Sequence, residues 1–449
     1  MSLPEQFNSY ESYFDACTQF FEEYQNLYNF ANTDVLVKGI IDDIRIDNFK
    51  DVDVFEHNFE LRSEGENIKL FNDFFNKLDK LKVKYNNIEI DTEYKINAPL
   101  GPKKKHEIIC LAKEIGTLCN NIGCDTVVDF GSGLGYLDQV IFDTTHYNVL
   151  GLECNERHYV GAKKRQNKYH IDSTSCVKFI RHRITEHSHV NLSEFLNDKF
   201  QNCNSFCITG LHACADLTVD AMNIFLKMEN ARAMILMPCC YHKMRIENLS
   251  DGKFSNFPLS KCLKEIYIKN RGFEYMKVPF LRLAAQPQLS SQSNIKDLVF
   301  NLLARAVLQI YACKYNYTIK RKKRKAVRVK TIHDNFESYA QDACTEGFLF
   351  VQENLEIDNL IESNFNNKSF DAKVAVEELN SIWNDLPPET FKKAATFILL
   401  QNQLQPIIEN FILLDRIVYL KENGLLNTTC RKIVNANISP RCLALFAHK

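Results

Sequence analysis

No run of apolar residues approaches the ~20 that a membrane-spanning helix needs, although 45% of the 449 residues are hydrophobic. No membrane partner is therefore expected. Charge of one sign is also missing. The net charge is −1, so no global field recruits nucleic acid or lipid, and any such surface must be local. The start, MSLPEQFNSYES, is polar and acidic and has no apolar leader. Cysteine is plentiful, at 16 residues. The thiols are scattered inside apolar segments, as at Cys110, Cys119, Cys207 and Cys313. That is the habit of reduced, buried thiols, and a cytosolic or nuclear location is expected.

What is present is organised around 126–153, TVVDFGSGLGYLDQVIFDTTHYNVLGLE. Val127 and Val128 are β-branched and lead into Asp129. Gly131, Ser132, Gly133 and Gly135 form a tight turn, and Tyr136 to Phe142 has room for a short helix. Tyr147 to Leu152 is a second apolar strand with Glu153 at its end. Such a unit lays a nucleoside-like ligand over the carboxyl ends of two parallel strands. The turn reads G-x-G-x-G, not the G-x-G-x-x-G that cradles a pyrophosphate. Asp129 just before it would repel phosphate. It suits S-adenosylmethionine, which carries a positive sulfonium and amine. Asp129 is expected to hold the amine, and Glu153 the ribose hydroxyls. Gly131, Ser132, Gly133, Tyr136 and Leu137 would line the methionine side. Lys104 and Lys105, near the start of a helix at 102–120, are candidates for the cofactor's carboxylate. Thr185 and Glu186 are weak candidates for an adenine contact.

The rhythm of strand and helix continues. A helix is expected at 155–169, a strand at 177–180, a strand at 205–211, a helix at 218–227 and a strand at 231–237. The architecture this implies is a doubly wound α/β sheet. His212 and Asp216 follow the fourth strand, and Cys239, Cys240, Tyr241 and His242 follow the fifth. In such a sheet catalytic groups belong at these carboxyl ends. His212 titrates near neutrality and is the candidate base, with Asp216 a possible helper from the same loop. The rival reading of His212 is a strand-end histidine bonded to backbone. Cys239 and Cys240 have three readings: a thiolate nucleophile, a metal site with Cys214, His212 or His242, or small residues shaping the methyl pocket. C-C-x-H lacks the C-x2–4-C loop of zinc sites, so the pocket reading is preferred and no metal is expected.

Residues 1–95 read as a helical N-terminal module. Phe7, Tyr10, Phe14, Cys17, Phe21, Tyr24 and Tyr28 form one helical stripe, suited to packing on its own domain or to recognising a partner. Residues 246–389 break the βα rhythm and read as an insertion. Eight of the residues 320–330 are Lys or Arg, a nuclear import signal, a phosphate-binding patch or a solvated loop. Residues 391–423 read as a long helix kinked or divided at Pro406 and stopped by Gly424. The segments 96–245 and 390–449 together would then form the cofactor-binding domain, closed by a last apolar strand.

Several segments resemble the methyltransferase-like protein 25 family, which includes a branch labelled ribosomal RNA adenine dimethylase domain-containing. They are PKKKHEI (102–108), VVDFGSGLGYL (127–137), TGLHACADL (209–217), CCYHKM (239–244), ARAVLQ (304–309), LLDRIVYLKENG (413–424) and SPRCLALFAHK (439–449). The resemblance implies a seven-strand, Rossmann-like, S-adenosylmethionine-dependent methyltransferase. It departs from the family at Ala215 and Pro238, each standing where the family usually has Gly. The H-x-C and C-C pattern is also similar to one in a tRNA ribose 2′-O-methyltransferase family, which nudges the expected macromolecular acceptor toward RNA over protein. The N-P-P-Y motif of N6-adenine methyltransferases is missing. A scaffold that binds the cofactor without turnover is the rival of another class.

Overall fold

The computed structural model describes residues 1–44, 53–56, 59, 61, 69–85, 96, 98–201, 203–248, 252–289, 294–323, 327, 335–352 and 370–449. The chain divides into two compact units, one of residues 1–23, 77–288 and 404–449, the other of residues 24–76 and 289–403. Residues 7–23 of the expected N-terminal module thus fall in the first unit, and the start of the expected insertion, 246–288, falls there too.

The first unit is built on seven strands: β1 (Thr126–Phe130), β2 (Asn148–Glu153), β3 (Val177–Arg181), β4 (Phe206–Cys214), β5 (Ala231–Cys239), and a closing pair at Thr428–Lys432 and Leu443–His448. Their order across the sheet is Thr428–Lys432, Leu443–His448, β5, β4, β1, β2, β3. β1 to β5 are mutually parallel, and Leu443–His448 runs antiparallel to both of its neighbours. The order reverses between β1 and β4, so a crevice opens outside their carboxyl ends. All five residues of β1 are buried, as a central parallel strand covered on both faces requires.

The helices are α1 (Tyr10–Glu23), α2 (Lys69–Leu81), α3 (Pro102–Ile122), α4 (Tyr136–Thr145), α5 (Glu156–Tyr169), α6 (His189–Lys199) and α7 (Leu217–Lys227), of which α3, α4, α5 and α7 pack on the strands. α3 begins at Pro102, where a missing N–H costs nothing, and ends on Gly123, whose φ is +78° and whose N–H reaches Cys119 O at 2.8 Å. Ile108, Leu111, Ile115 and Cys119 of α3 join Val127, Ile141, Val149 and Phe446 in one core. The aromatic stripe of α1 is buried within this unit. Phe14 meets the Phe411 ring at 5.3 Å and Phe21 meets Phe280 at 5.1 Å, both edge to face.

Two expectations are corrected. Of the kink or division expected at Pro406, the division is absent: the long helix is continuous over Pro388–Glu422. Proline there forfeits one backbone bond, but Leu404, Ile407, Ile408 and Phe411 around it are buried to 4% exposure or less, and that packing outweighs the loss. Gly424 does follow its end, at φ +88°. The fourth strand does not stop at residue 211. It runs to Cys214 through a register shift between Gly210 and Ala213, so His212 sits on the strand and not in a loop.

The second unit holds helices at Ile295–Lys314, Phe336–Asp342 and Ala372–Asn384, with a two-stranded ribbon of Tyr317–Arg321 against Phe348–Gln352. Phe336 stacks on Trp383 at 4.3 Å in its core. The basic run starts on this ribbon. Lys320 to Lys323 are exposed. Lys322 bonds Thr345 O and Lys323 pairs with Glu346. Most of 324–330 lies outside the described residues.

Gly135 shows how tightly the glycine turn is set. Its φ is +73°, and a Cβ there would stand 2.5 Å from Phe179 Cζ. Left-handed backbone and ring overlap together should make Gly135→Ala cost about 2–4 kcal/mol. Urea unfolding measures this, and an unchanged midpoint would show that the turn tolerates a side chain.

Candidate active site

The glycine turn is fixed by β2. The N–H groups of Gly131 and Ser132 both donate to Leu152 O, at 2.9 and 3.1 Å. Glu153 then ties the two strand ends together. Its Oε2 accepts the Gly133 N–H at 2.9 Å and its Oε1 accepts the Asn155 N–H at 2.7 Å. Each carboxylate oxygen keeps a second lone pair for another donor. Asp129 pairs in register with Gly151 on β2, and its carboxyl is close enough to feel the Glu153 charge. The two acids therefore belong to one site.

The turn has room and unmet polar atoms. A Cβ on Gly133 would touch nothing within 4 Å. Asp129 Oδ1 and Ser132 Oγ are buried without a hydrogen-bond partner, as are both oxygens of Asp138 and both amide atoms of Gln139. Buried polar groups rarely stay unpaired without a reason. Burial pushes the Asp129 carboxyl well above the usual range, and the neighbouring Asp138 and Glu153 push the same way. Burial also lifts Asp138 to about 7. A cationic amine or sulfonium beside Asp129 would relieve this arrangement, so the residues fit an S-adenosylmethionine molecule. Tyr136 lies between two cations, with the Arg165 guanidinium 3.9 Å and Lys104 Nζ 5.3 Å from its ring. Lys105 is half-buried on the same helix. Leu137 is in the core, so only its backbone faces the turn region. Thr185 takes a bond from its own N–H to Ser188 Oγ at 2.9 Å, and Glu186 is exposed beside it.

The second cluster lies at the ends of β4 and β5. His212 Nε2 is 3.2 Å from Glu107 Oε2. Glu107 is 1% exposed and also accepts the Ser439 hydroxyl. Burial opposes ionisation of Glu107, but the His212 and Ser439 hydrogen bonds outweigh it and hold the carboxyl below the usual range. The expected His212–Asp216 partnership is therefore corrected. The turn after Cys214, with Ala215 at φ +53°, directs Asp216 elsewhere. Its oxygens accept the Arg245 N–H and the Asn256 amide, each at 2.8 Å. Tyr241 is fully buried and its hydroxyl donates to Glu409 at 3.1 Å, which makes it an anchor for the loop after β5. Cys239 is buried and Cys240 half-buried. His242 Nδ1 is buried and unpaired.

Sequence reasoning missed Glu107, Asp138 and Arg416. Asp138 sits in the first turn of its helix, where an acid is explained by the helix dipole, and Glu107 lies one turn further into α3 beside a basic cluster, so neither stands out. Arg416 is 2% exposed, with its guanidinium 5.2 Å from the Tyr241 ring and Nη1 unpaired. A cleft of about 430 Å³ between Glu114, Thr117, Thr428 and His448 lies at the opposite, amino-terminal edge of the sheet, and no expected site residue lines it.

A parallel sheet with its last inner strand reversed, a glycine turn after the first strand and an acid after the second define the S-adenosylmethionine-dependent methyltransferases. This chain shares that arrangement, and its residues 103–247 match the family model described as a methyltransferase domain. The chain is 27% identical over 273 residues to the probable methyltransferase-like protein 25 of Mus musculus, and 26% identical over 272 residues to that of Homo sapiens. Each match covers 58% of this chain and 40% of the relative, so the likeness spans about two fifths of the curated relatives' length. Among solved structures, the methyltransferase domain of bacterial CtHen1-C is 9% identical with a TM-score of 0.23, covering 56% of this chain and 100% of its own. The plantazolicin methyltransferase BpumL in complex with SAH is 10% identical with a TM-score of 0.22, covering 56% and 86%.

Proposed function

We propose that the protein transfers a methyl group from S-adenosylmethionine to an RNA, at an acceptor atom that gives up its proton to His212. The pair His212–Glu107 at the carboxyl edge of β4 carries this reading. The cofactor supplies an electrophilic methyl on a sulfonium. Asp129 and Glu153 hold its amine and ribose, and Tyr136 with the flanking Lys104 and Arg165 borders the methionine end. Glu107 orients the imbalance of charge on His212: its carboxylate accepts from Nε2 and leaves Nδ1 to take the acceptor's proton. In-line displacement otherwise needs mainly positioning.

RNA is favoured over protein for two reasons. Lys320 and Arg321 are exposed cations without an acidic neighbour in an ion pair among the described residues, which suits phosphate. The aromatic helix α1, the feature best suited to docking a protein, spends its face on its own core.

Labelled methyl transfer into cell extract tests the proposal. Label that disappears with ribonuclease and survives protease is the expected result, with retention of RNA that weakens as salt rises. Label lost to protease would move the acceptor to protein. Cofactor binding with no transfer to either fraction would leave a non-catalytic binding fold.

A further inference from the structure

Three thiols meet at the ends of β4 and β5. Cys214 and Cys239 are register partners, and their sulfurs are 2.9 Å apart, well beyond the ~2.05 Å of a disulfide. Cys240 completes the group, and all three sulfurs lie within 4.8 Å of one another. Neighbouring residues of a strand point to opposite faces, so Cys239 and Cys240 should diverge. They converge because Cys240 adopts φ +52°, and Ala215, next to Cys214, adopts φ +53°. Left-handed backbone at a residue other than glycine costs ~1–2 kcal/mol. Two such residues flank one cluster of sulfurs. Strain of this kind collects at sites that use it.

We propose that Cys214, Cys239 and Cys240 bind one zinc ion as three thiolates. Zinc–sulfur bonds of ~2.3 Å in a tetrahedron place sulfurs ~3.8 Å apart, a spacing the cluster brackets. Three thiolates and one divalent ion leave one net negative charge, and Lys243 and Arg441 act on Cys240 while Arg416 acts on Cys239. Arg416 is a buried guanidinium with an unpaired nitrogen that feels Cys239 as well as Asp415 and Asp216, so its charge favours an anionic cluster. No further His, Cys, Asp or Glu among the described residues joins the group. Cys214 and Cys240 are half-buried, not sealed. The fourth position is therefore open to water or to an acceptor atom, the arrangement of zinc sites that do chemistry. In the sequence a metal is only one of three readings of these cysteines, because the ligands come from two strands and a strained turn rather than from a C-x2–4-C loop. The proposal does not depend on the identity of the acceptor.

The test is metal analysis of the full chain, purified in reductant and passed over a weak chelator. About one zinc per chain is expected. Cobalt(II) added to the zinc-free protein should give thiolate-to-cobalt charge-transfer absorption in the near ultraviolet. Cys240→Ser should lower the metal content and weaken that band, whereas Cys313→Ser, at an exposed cysteine outside the cluster, should do neither. Folded wild-type protein that holds neither zinc nor cobalt would overturn the proposal, without reliance on any variant. A Cys214–Cys239 disulfide found by peptide mapping in the metal-free protein purified without reductant would replace it with a redox pair.

Discussion

Glu153→Ala is expected to weaken S-adenosylmethionine binding by about 30- to 1000-fold, or ~2–4 kcal/mol. The side chain does two jobs. It accepts the Gly133 and Asn155 N–H groups and so holds the turn against the end of β2. Its remaining lone pairs are free for the ribose hydroxyls. Alanine removes both functions and leaves the Gly133 N–H without its partner. Glu153→Gln keeps one oxygen but sets an NH2 against a backbone N–H, so an intermediate loss of about tenfold is expected. Calorimetric titration reads the affinity, and a far-ultraviolet melt shows whether the fold survives. A folded Glu153→Ala variant with wild-type affinity would remove the cofactor site from this turn.

The same titration should depend on pH. Asp129 and Asp138 are buried together, and their carboxyls titrate as a pair. Both are raised, Asp138 to about 7. A carboxyl raised by folding stabilises the fold while it stays protonated. That contribution is complete below the unfolded value of ~4 and is lost as pH rises through about 7. A cation seated beside Asp129 favours the ionised form. Affinity should therefore climb as pH rises and the Asp129 carboxyl ionises, with proton release visible as a buffer-dependent enthalpy. The cofactor should also raise the melting temperature more at pH 8 than at pH 5.5.

Why was the cofactor half legible in the sequence and the acceptor half only partly so? Asp129, the glycines and Glu153 are close in the chain, and parallel strand geometry fixes their relation once the strands are recognised. The registers Asp129 with Gly151 and Phe130 with Leu152 follow from that geometry alone. His212 was singled out because strand ends are where such sheets place chemistry. Its partner was not. Glu107 is 105 positions away and comes from the helix before the first strand, a tertiary contact with no local signature. The cysteine cluster stood in the sequence as only one of three readings for a related reason. Its convergence needs φ +52° at Cys240 and φ +53° at Ala215, and nothing in the composition of H-A-C-A-D or C-C-Y announces left-handed backbone at residues other than glycine. Pro406 misled in the opposite direction, because a propensity rule for exposed helices was applied to one buried on most sides.

His212→Ala should lower kcat by about 100- to 10,000-fold while leaving the affinity for S-adenosylmethionine within about twofold of wild type. The split is expected because His212 stands on β4, apart from the turn that Asp129 and Glu153 form. The imidazole is 40% exposed at the carboxyl edge, where a substrate atom can reach it. On the proposed reading Glu107 acts through it, as a positioning residue, and its replacement tests that relation separately. Glu107→Gln keeps the shape and an acceptor oxygen toward Nε2 but removes the charge that favours imidazolium. It should cost about 10- to 100-fold in kcat with the affinity for S-adenosylmethionine unchanged. A merely structural Glu107 would lower the amount of folded protein and leave the kcat of the folded fraction where it was. Wild-type turnover by a folded His212→Ala variant would show that the acceptor needs no base from this strand, and would point to an acceptor already nucleophilic without losing a proton.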